Sequence, residues 1–359
     1  MSELQKIDEF GKVGLQNRGN TCFLNTTIQC LSHVIPLTNY MMLNKFLSPL
    51  KNEKRKKEIH EKLGREFDVT KSFVQLIRIL WSHKEPIEPK TMHQAFQKFH
   101  DRFEGYHQQD AEEALIIIMD SLHEVLNSSI EVSISGTSES DVDDLMIESF
   151  RQWKMMNEKK FSIITEIFTG QFMNQVICKE VDDKNKILSR TFENFDRINL
   201  PISGNTLYDC LQQYFHVELL ETKYHIESED RHVKAGRQIK LMMLPKYLII
   251  VLKRFQNDGT RITKKNTLVS FPIDDLDLSN YTMGYDKYES SYRLRSIGCH
   301  IGNMSGGHYY AICRHRSGEW FVYNDRQCES YDIRSEIPVL QNRVYMLIYE
   351  KKINRLSDN

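Results

Sequence analysis

The chain is expected to fold as an α+β protein, with helices in its first third and strands in most of the rest. Three observations carry this. Up to about position 127 apolar residues recur at three- and four-residue spacing, the stripe of amphipathic helices. From Phe161 onward the period shortens to alternation or to short apolar runs. The chain has 359 residues, 40% hydrophobic and 27% charged, which suits one large or two to three ordinary globular domains. A formal net charge of -1 gives no general argument for nucleic acid or an anionic membrane. No apolar run approaches the ~20 residues of a membrane helix. The N-terminus, Met1-Ser2-Glu3-Leu4-Gln5-Lys6, has no secretory h-region. Seven scattered cysteines without a Cys-x-x-Cys pair read as a reduced, intracellular set, cytoplasmic or nuclear.

Residues 1–13 read as a leader. The first helix follows Gly14-Leu15-Gln16-Asn17-Arg18-Gly19-Asn20-Thr21-Cys22, with Leu24, Ile28, Leu31 and Ile35 as its stripe and Asn20 or Thr21 as N-cap. Cys22 then falls in the first turn. Backbone N–H groups and the helix dipole favour a thiolate there, and the same N–H groups can face an oxyanion beside the sulfur. The basic run Lys51-Asn52-Glu53-Lys54-Arg55-Lys56-Lys57 reads as a solvated helix end or loop. Phe67 to Trp81 and Met92 to Phe103 are amphipathic, separated by Pro86 and Pro89. After Tyr106-His107-Gln108-Gln109-Asp110, the positions Ala111, Leu115, Ile118, Leu122 and Val125 define a helix to about Asn127, with acids in its first turn. Residues 128–149, polar and acidic, read as a flexible insertion.

Strands are expected over Phe168–Phe172, Gln175–Cys178, Phe192–Ile202, Lys234–Met243 and Leu244–Phe255, the last one buried. Thr206 is placed to cap a helix through Leu207, Leu211 and Tyr214. Residues 256–271 read as a mobile polar loop. Tyr292–His300 is a strand, and Gly302 to Gly307 is a glycine-rich loop leading into His308. His308–His315 and Glu319–Asp325 form a hairpin about Arg316-Ser317-Gly318. With a three-residue loop, His315 faces Glu319, His308 faces Arg326, and Asn324 is the diagonal neighbour of His308 on one face, roughly 7–8 Å away. With a two-residue loop Asp325 takes that place. Val344–Tyr349 closes the strands.

Four strings, taken together and in order, resemble the ubiquitin-specific proteases, the papain-like deubiquitinases. They are the Cys22 string, the Gln-Asp-Ala string at Gln109, Asp110 and Ala111, the Leu244–Phe255 strand, and Gly306-Gly307-His308-Tyr309-Tyr310 with its later Trp320 and Asn324-Asp325. The resemblance spans about residues 14–349. It implies a papain-like cysteine protease fold with a helical thumb (about 14–127), β fingers (about 161–243) and a β palm (about 244–349), leaving 350–359 as a tail. It implies that Cys22 is the nucleophile, His308 the base, Asn324 its orienting partner, Asp325 a second polar contributor and Asn17 an oxyanion donor. Gln109, Asp110, Gly306, Gly307 and Tyr309 are implied in binding the ubiquitin tail, with Asp110 answering a basic side chain. One departure is Ala114, where the family usually has a larger apolar residue. Family members often carry two finger Cys-x-x-Cys pairs that bind zinc. Here only Cys178 is retained, its counterparts being Val181, Ile226 and Glu229, so neither metal nor cofactor is expected. The implied activity is hydrolysis of the bond after ubiquitin's C-terminal glycine, on ubiquitinated proteins, with or without an activating partner. Two rivals are a protease for another ubiquitin-like modifier and a catalytically silent ubiquitin-binding scaffold, the latter disfavoured by intact Cys22, His308 and Asn324.

Overall fold

Helix starts and apolar stripes organise the first half. The computed structural model describes residues 10–47, 51–103, 107–180, 185–257, 262–303 and 306–352. Its helices are α1 (Cys22–Ser32), α2 (Ile35–Met42), α3 (Glu53–Lys62), α4 (Gly64–Leu80), α5 (Lys90–Phe99), α6 (Ala111–Leu126), α7 (Asp141–Asn157), α8 (Ile163–Phe168), α9 (Leu207–Tyr214) and α10 (Ile333–Leu340). Val69, Phe73, Leu76, Ile77 and Leu80 put one face of α4 into the core, and Leu115, Ile118, Leu122 and Val125 do the same for α6. The basic run enters α3, capped by Asn52, and is largely exposed.

The expected insertion at 128–149 needs correction. Its second half is the start of α7. Ser140 accepts the Asp143 N–H at 3.2 Å, and Asp141, Asp143 and Asp144 occupy the first turn, where the dipole favours acids. Acidity that reads as a linker is here the helix start. Leu145 and Met146 then pack with Met173, Phe192 and Met242. Two smaller corrections follow. Phe168 ends α8 instead of opening a strand. The loop expected over 256–271 begins as a two-stranded ribbon, β9 (Phe255–Asn257) with β10 (Ile262–Lys264); residues 258–261 of it lie outside the described residues, as do most of the leader and of the tail.

The fingers are a four-stranded antiparallel sheet in the order β2-β1-β7-β4, from β1 (Gly170–Cys178), β2 (Ile187–Phe195), β4 (Glu218–Leu219) and β7 (Ala235–Met243). A ribbon of β5 (Tyr224–Ile226) and β6 (Arg231–Val233) forms their tip. The palm sheet runs β15-β14-β13-β12-β16-β8-β3, with β11 beside β12. Its strands are β3 (Ile198–Pro201), β8 (Tyr247–Lys253), β11 (Leu276–Asp277), β12 (Ser291–Gly302), β13 (Gly307–Arg314), β14 (Trp320–Asn324), β15 (Gln327–Ser330) and β16 (Val344–Lys351).

Both faces of the palm sheet are covered. On β8, Tyr247, Ile249 and Val251 join the core under the helices, while Leu248, Ile250 and Leu252 join a second core on the other face. Strand periodicity thus explains why this segment reads as continuously apolar. Buried Arg254 ties the loops beneath the sheet, donating to the carbonyls of Lys265 and Thr267 at 2.9 Å each and of Gln341 at 2.7 Å. Among the described residues no helix is long and apolar enough to cross a membrane, and all seven cysteines are free thiols.

Candidate active site

Two segments meet at the site: the loop before α1 and the β13–β14 hairpin. The hairpin takes the three-residue-loop register. Ala311 faces Tyr323, Arg314 faces Trp320, and the His315 N–H reaches the Glu319 carbonyl at 2.8 Å. That register brings Asn324 to His308, whose Nε2–H donates to Asn324 Oδ1 at 2.7 Å. Asp325 follows at φ 50°, turning the chain into β15, and its Oδ2 stands 4.0 Å from His308 Nε2.

The loop before α1 crosses directly over this turn. Leu15 N–H donates to the Asp325 carbonyl at 2.7 Å. A side chain on Gly14 would lie 2.3 Å from the Arg326 backbone, so only glycine permits the approach. Asn17 spans the two segments. Its Nδ2 donates to Asp325 Oδ2 at 3.2 Å, and its Oδ1 accepts from the Gly19 N–H at 3.0 Å and from the Thr21 N–H and hydroxyl at 3.1 Å each. Gly19 and Asn20 both have positive φ, which turns the chain sharply into the helix. Thr21 sits at the N-cap position, as the sequence suggests, but its hydroxyl is turned back to Asn17 and no side chain caps the helix start. Cys22 opens α1 there, 3% exposed.

The Cys22 side chain faces the His308 imidazole closely enough to govern its pKa. With Nε2 committed to Asn324, Nδ1 is the ring nitrogen left for the sulfur. The Cys22 side chain is the largest cause raising the His308 pKa to about 9; burial opposes it, and Asn324 and the charges of Cys22 and Asp325 add to it. The arrangement therefore holds a protonated imidazole beside the Cys22 sulfur at neutral pH, placed to exchange a proton with groups reacting there.

A family model described as ubiquitin carboxyl-terminal hydrolase matches residues 13–349. The chain belongs to the ubiquitin carboxyl-terminal hydrolase family. It is 32% identical over 356 residues to ubiquitin carboxyl-terminal hydrolase 2 of Bos taurus, covering 95% of this chain and 55% of that protein. It is 26% identical over 427 residues to a probable ubiquitin carboxyl-terminal hydrolase of Acanthamoeba polyphaga mimivirus, covering 94% and 90%. The chain thus spans about half the length of the first curated relatives it matches. Among solved structures, the Ubp8/Sgf11/Sus1/Sgf73 SAGA DUB module bound to monoubiquitin aligns with TM-score 0.72 at 22% identity, over 96% of this chain and 70% of that one. The same module bound to ubiquitin aldehyde gives 0.70. The fold is the papain-like one of ubiquitin-specific proteases.

The remaining expected residues lie just before α6 and around the start of β13. Asp110 is the N-cap of α6: its Oδ1 accepts the Glu112 N–H at 2.8 Å and the Tyr345 hydroxyl. Burial is the main cause raising its pKa, and those two bonds work against the rise. Gln109 turns towards its own helical subdomain, donating to the Arg102 carbonyl at 2.7 Å. Tyr309 is buried, packed on His300 and Tyr345. Gly306 has open space where a Cβ would go, whereas one on Gly307 would lie 2.2 Å from His300 Nε2. Gln108, which the string reading passes over in favour of Gln109 and Asp110, bonds directly to Gly307. Nothing in the spacing separates two adjacent glutamines; only the fold shows which one crosses to the palm.

At the finger tip the donor set does not fit a tetrahedral zinc. Cys178 is buried, Ile226 carries no donor, and Val181 lies outside the described residues. Glu229 is held by Lys186 at 3.1 Å and Arg231 at 2.9 Å. His225 stacks on His232 and bonds Asp230 through Nε2 at 3.1 Å. Among the described residues no three metal-ligating side chains converge.

Proposed function

We propose that the chain is a thiol-dependent deubiquitinase, hydrolysing the isopeptide or peptide bond after the C-terminal glycine of ubiquitin. The observation that carries this reading is His308, held between Cys22 and Asn324 with its pKa raised to about 9. The Cys22 thiolate attacks the glycine carbonyl carbon and forms a C–S bond. The oxyanion is met by backbone N–H groups at the start of α1, where no side chain competes, and by the Asn17 amide, whose second N–H supplements the one given to Asp325. The His308 imidazolium gives its proton to the departing amine as the C–N bond breaks. Water then attacks the thioester, His308 takes its proton, and the thiolate leaves. Asn324 holds the ring plane throughout, and Asp325 holds Asn17 while adding negative charge near the imidazolium.

Acidic groups line the approach, with Asp110 and Glu113 on the wall of a cavity beside Tyr309. A basic, extended tail suits that wall, which favours ubiquitin and ubiquitinated proteins as substrates. We further propose an intracellular protein that needs no metal: the finger tip is held by the Lys186–Glu229–Arg231 ion pairs, a poor substitute for thiolates as ligands.

The test is reaction of the purified protein with ubiquitin carrying a C-terminal electrophile, beside Cys22→Ala. A covalent adduct in the parent only is expected. An adduct with a different modifier's probe but none with ubiquitin would move the substrate to that modifier. Binding without any adduct would sink the enzymatic reading.

A further inference from the structure

Two cavities share one wall residue, Gln109, and differ in sign. The one beside Tyr309, of 210 Å³, has Asp110 and Glu113 on its wall and, among the described residues, no lysine or arginine. The other, of 240 Å³, has Arg18, Lys90, His93 and His107 on its wall and, among the described residues, no acid. Gly19, Asn20 and Thr21, which run directly into Cys22, line this second cavity and not the first.

The positive character is built from the chain upward. Lys90 opens α5, at the end of a helix where the dipole already favours an anion. That first turn holds no acid, and no side chain caps it. Arg18 is paired through Nε with Glu88 at 2.7 Å, but Glu88 does not reach the cavity wall, and Lys90 has no such partner among the described residues. His93 lies one turn further along α5. It is 8% exposed, and its Nε2 is buried without a hydrogen-bond partner among the described residues. Burial and then the Arg18 charge lower its pKa to about 4, so the ring is neutral at pH 7. Phe23, Phe96 and Phe103 supply the apolar part of the wall, with Phe103 packed on both other rings. A carboxylate on a short methylene stem suits this set: charge for Lys90 and Arg18, an acceptor for an imidazole N–H, and rings for the methylenes.

We propose that this cavity is a subsite for the departing side of the substrate, and that it takes an acidic side chain of the conjugated protein next to the modified lysine. This rests on the deubiquitinase reading above. There the basic tail uses the acidic cavity and brings its last carbonyl to Cys22. The basic cavity repels that tail, and what continues past the scissile bond is the conjugated protein. Preference among ubiquitinated proteins is then set in part by the residues flanking their lysine.

The experiment compares kcat/KM for ubiquitin joined by an isopeptide bond to the lysine of two fluorescent peptides, one with glutamates flanking the lysine and one with glutamines. Ubiquitin-aminomethylcoumarin, which has no flanking residues, is the third substrate. In the parent the glutamate peptide is expected to be favoured by about tenfold. Lys90→Glu should abolish or reverse the preference. His93→Phe keeps the volume and the net charge but removes the ring nitrogens, and should narrow the preference to about threefold. A purely structural role for either residue would lower all three rates together and leave the ratio alone. A ratio unchanged in both variants overturns the subsite. A ratio that responds to Lys90→Glu but not to a folded His93→Phe also overturns it, since attraction at long range would then suffice. If His93→Phe does not fold, exposed Lys90 decides the matter. A parent that releases aminomethylcoumarin and treats the two peptides alike overturns the subsite and leaves the deubiquitinase reading intact. A parent that cleaves none of the three overturns both.

Discussion

His308 and His300 lie on neighbouring strands of one sheet, yet their imidazoles are driven in opposite directions. His308 is raised to about 9. His300 is lowered to about 4, first by burial and then by the positive charges of Lys264, His308 and Arg254. Both rings pay a desolvation penalty, although His300 is fully buried and His308 only half-buried. What reverses the direction at His308 is the company. His308 has sulfur on one side, the Asn324 carbonyl oxygen on the other and Asp325 nearby, all of which favour the cation. His300 has aromatic rings, cations and an unpartnered Nδ1. Acceptors arranged around a ring hold it as the cation, and a buried ring without them becomes a neutral packing element.

The largest expected effect breaks this comparison outright. His308→Ala should lower kcat/KM for ubiquitin-aminomethylcoumarin by at least about 10⁴-fold, because general base and acid are lost together. His300→Phe should change it by less than about tenfold. Comparable losses in both would mean that the contrast between the two rings has no catalytic meaning. Next in size is Asn324→Ala, expected to cost about 10²-fold and to move the alkaline limb of the pH–rate profile below its parental position near pH 9, since the bond favouring the cation is gone. Asp325→Asn should cost only a few-fold, because Asp325 stands 4.0 Å from the ring and acts through Asn17. The reverse order of these two variants would reassign the orienting role to Asp325.

That choice shows where sequence reading stops. The helices α4 and α6 and the strand β8 are legible because each carries a regular period. Cys22 and His308 stand out because a helix start and a diglycine point to them. The choice between Asn324 and Asp325 is a matter of hairpin register, which strand pattern leaves open and which the His315–Glu319 bond resolves in the fold. Gln108 and Asn17 were less legible for a different reason. Their roles depend on segments some 200 and 300 residues away, Gly307 and Asp325, and no local pattern encodes such partners. Helix α7 was hidden by its own cap: Ser140 and three aspartates look like a linker until Leu145 and Met146 are seen to bury.

The two rings also predict opposite pH dependences of stability, a smaller effect. For His308 the folded pKa lies above the unfolded value of ~6.5. Its stabilising contribution is fully present below ~6.5 and is lost as pH rises through about 9. Cys22→Ala removes the main cause, so the stability advantage of the parent over this variant, measured by urea unfolding, should shrink between pH 6.5 and 9.5. For His300 the folded pKa is depressed to about 4, so the unfolded chain binds the extra proton and stability falls as pH drops from ~6.5 towards 4. His300→Phe should flatten that acid-side loss and leave the alkaline side unchanged. An acid-side slope identical in parent and variant would show that His300 is not neutral in the fold for the reason given.

The smallest effect is expected where a second pair of histidines, His225 and His232, stacks at the finger tip in the open. Here neither a closed cage of acceptors nor a buried apolar setting exists, and the neighbouring Glu229 is neutralised by Lys186 and Arg231. Ion pairs this exposed are screened by water, so Glu229→Ala should shift the unfolding midpoint only slightly. Prolonged dialysis against a chelator should leave the melting temperature and the reaction with electrophilic ubiquitin unchanged, because Cys178 lacks the three companions that a closed zinc site requires. A chelator-induced drop in melting temperature, restored by zinc, would mean that these histidines and Cys178 do assemble around a metal. The finger tip would then join His308 as a place where neighbours, more than burial, decide what a side chain does.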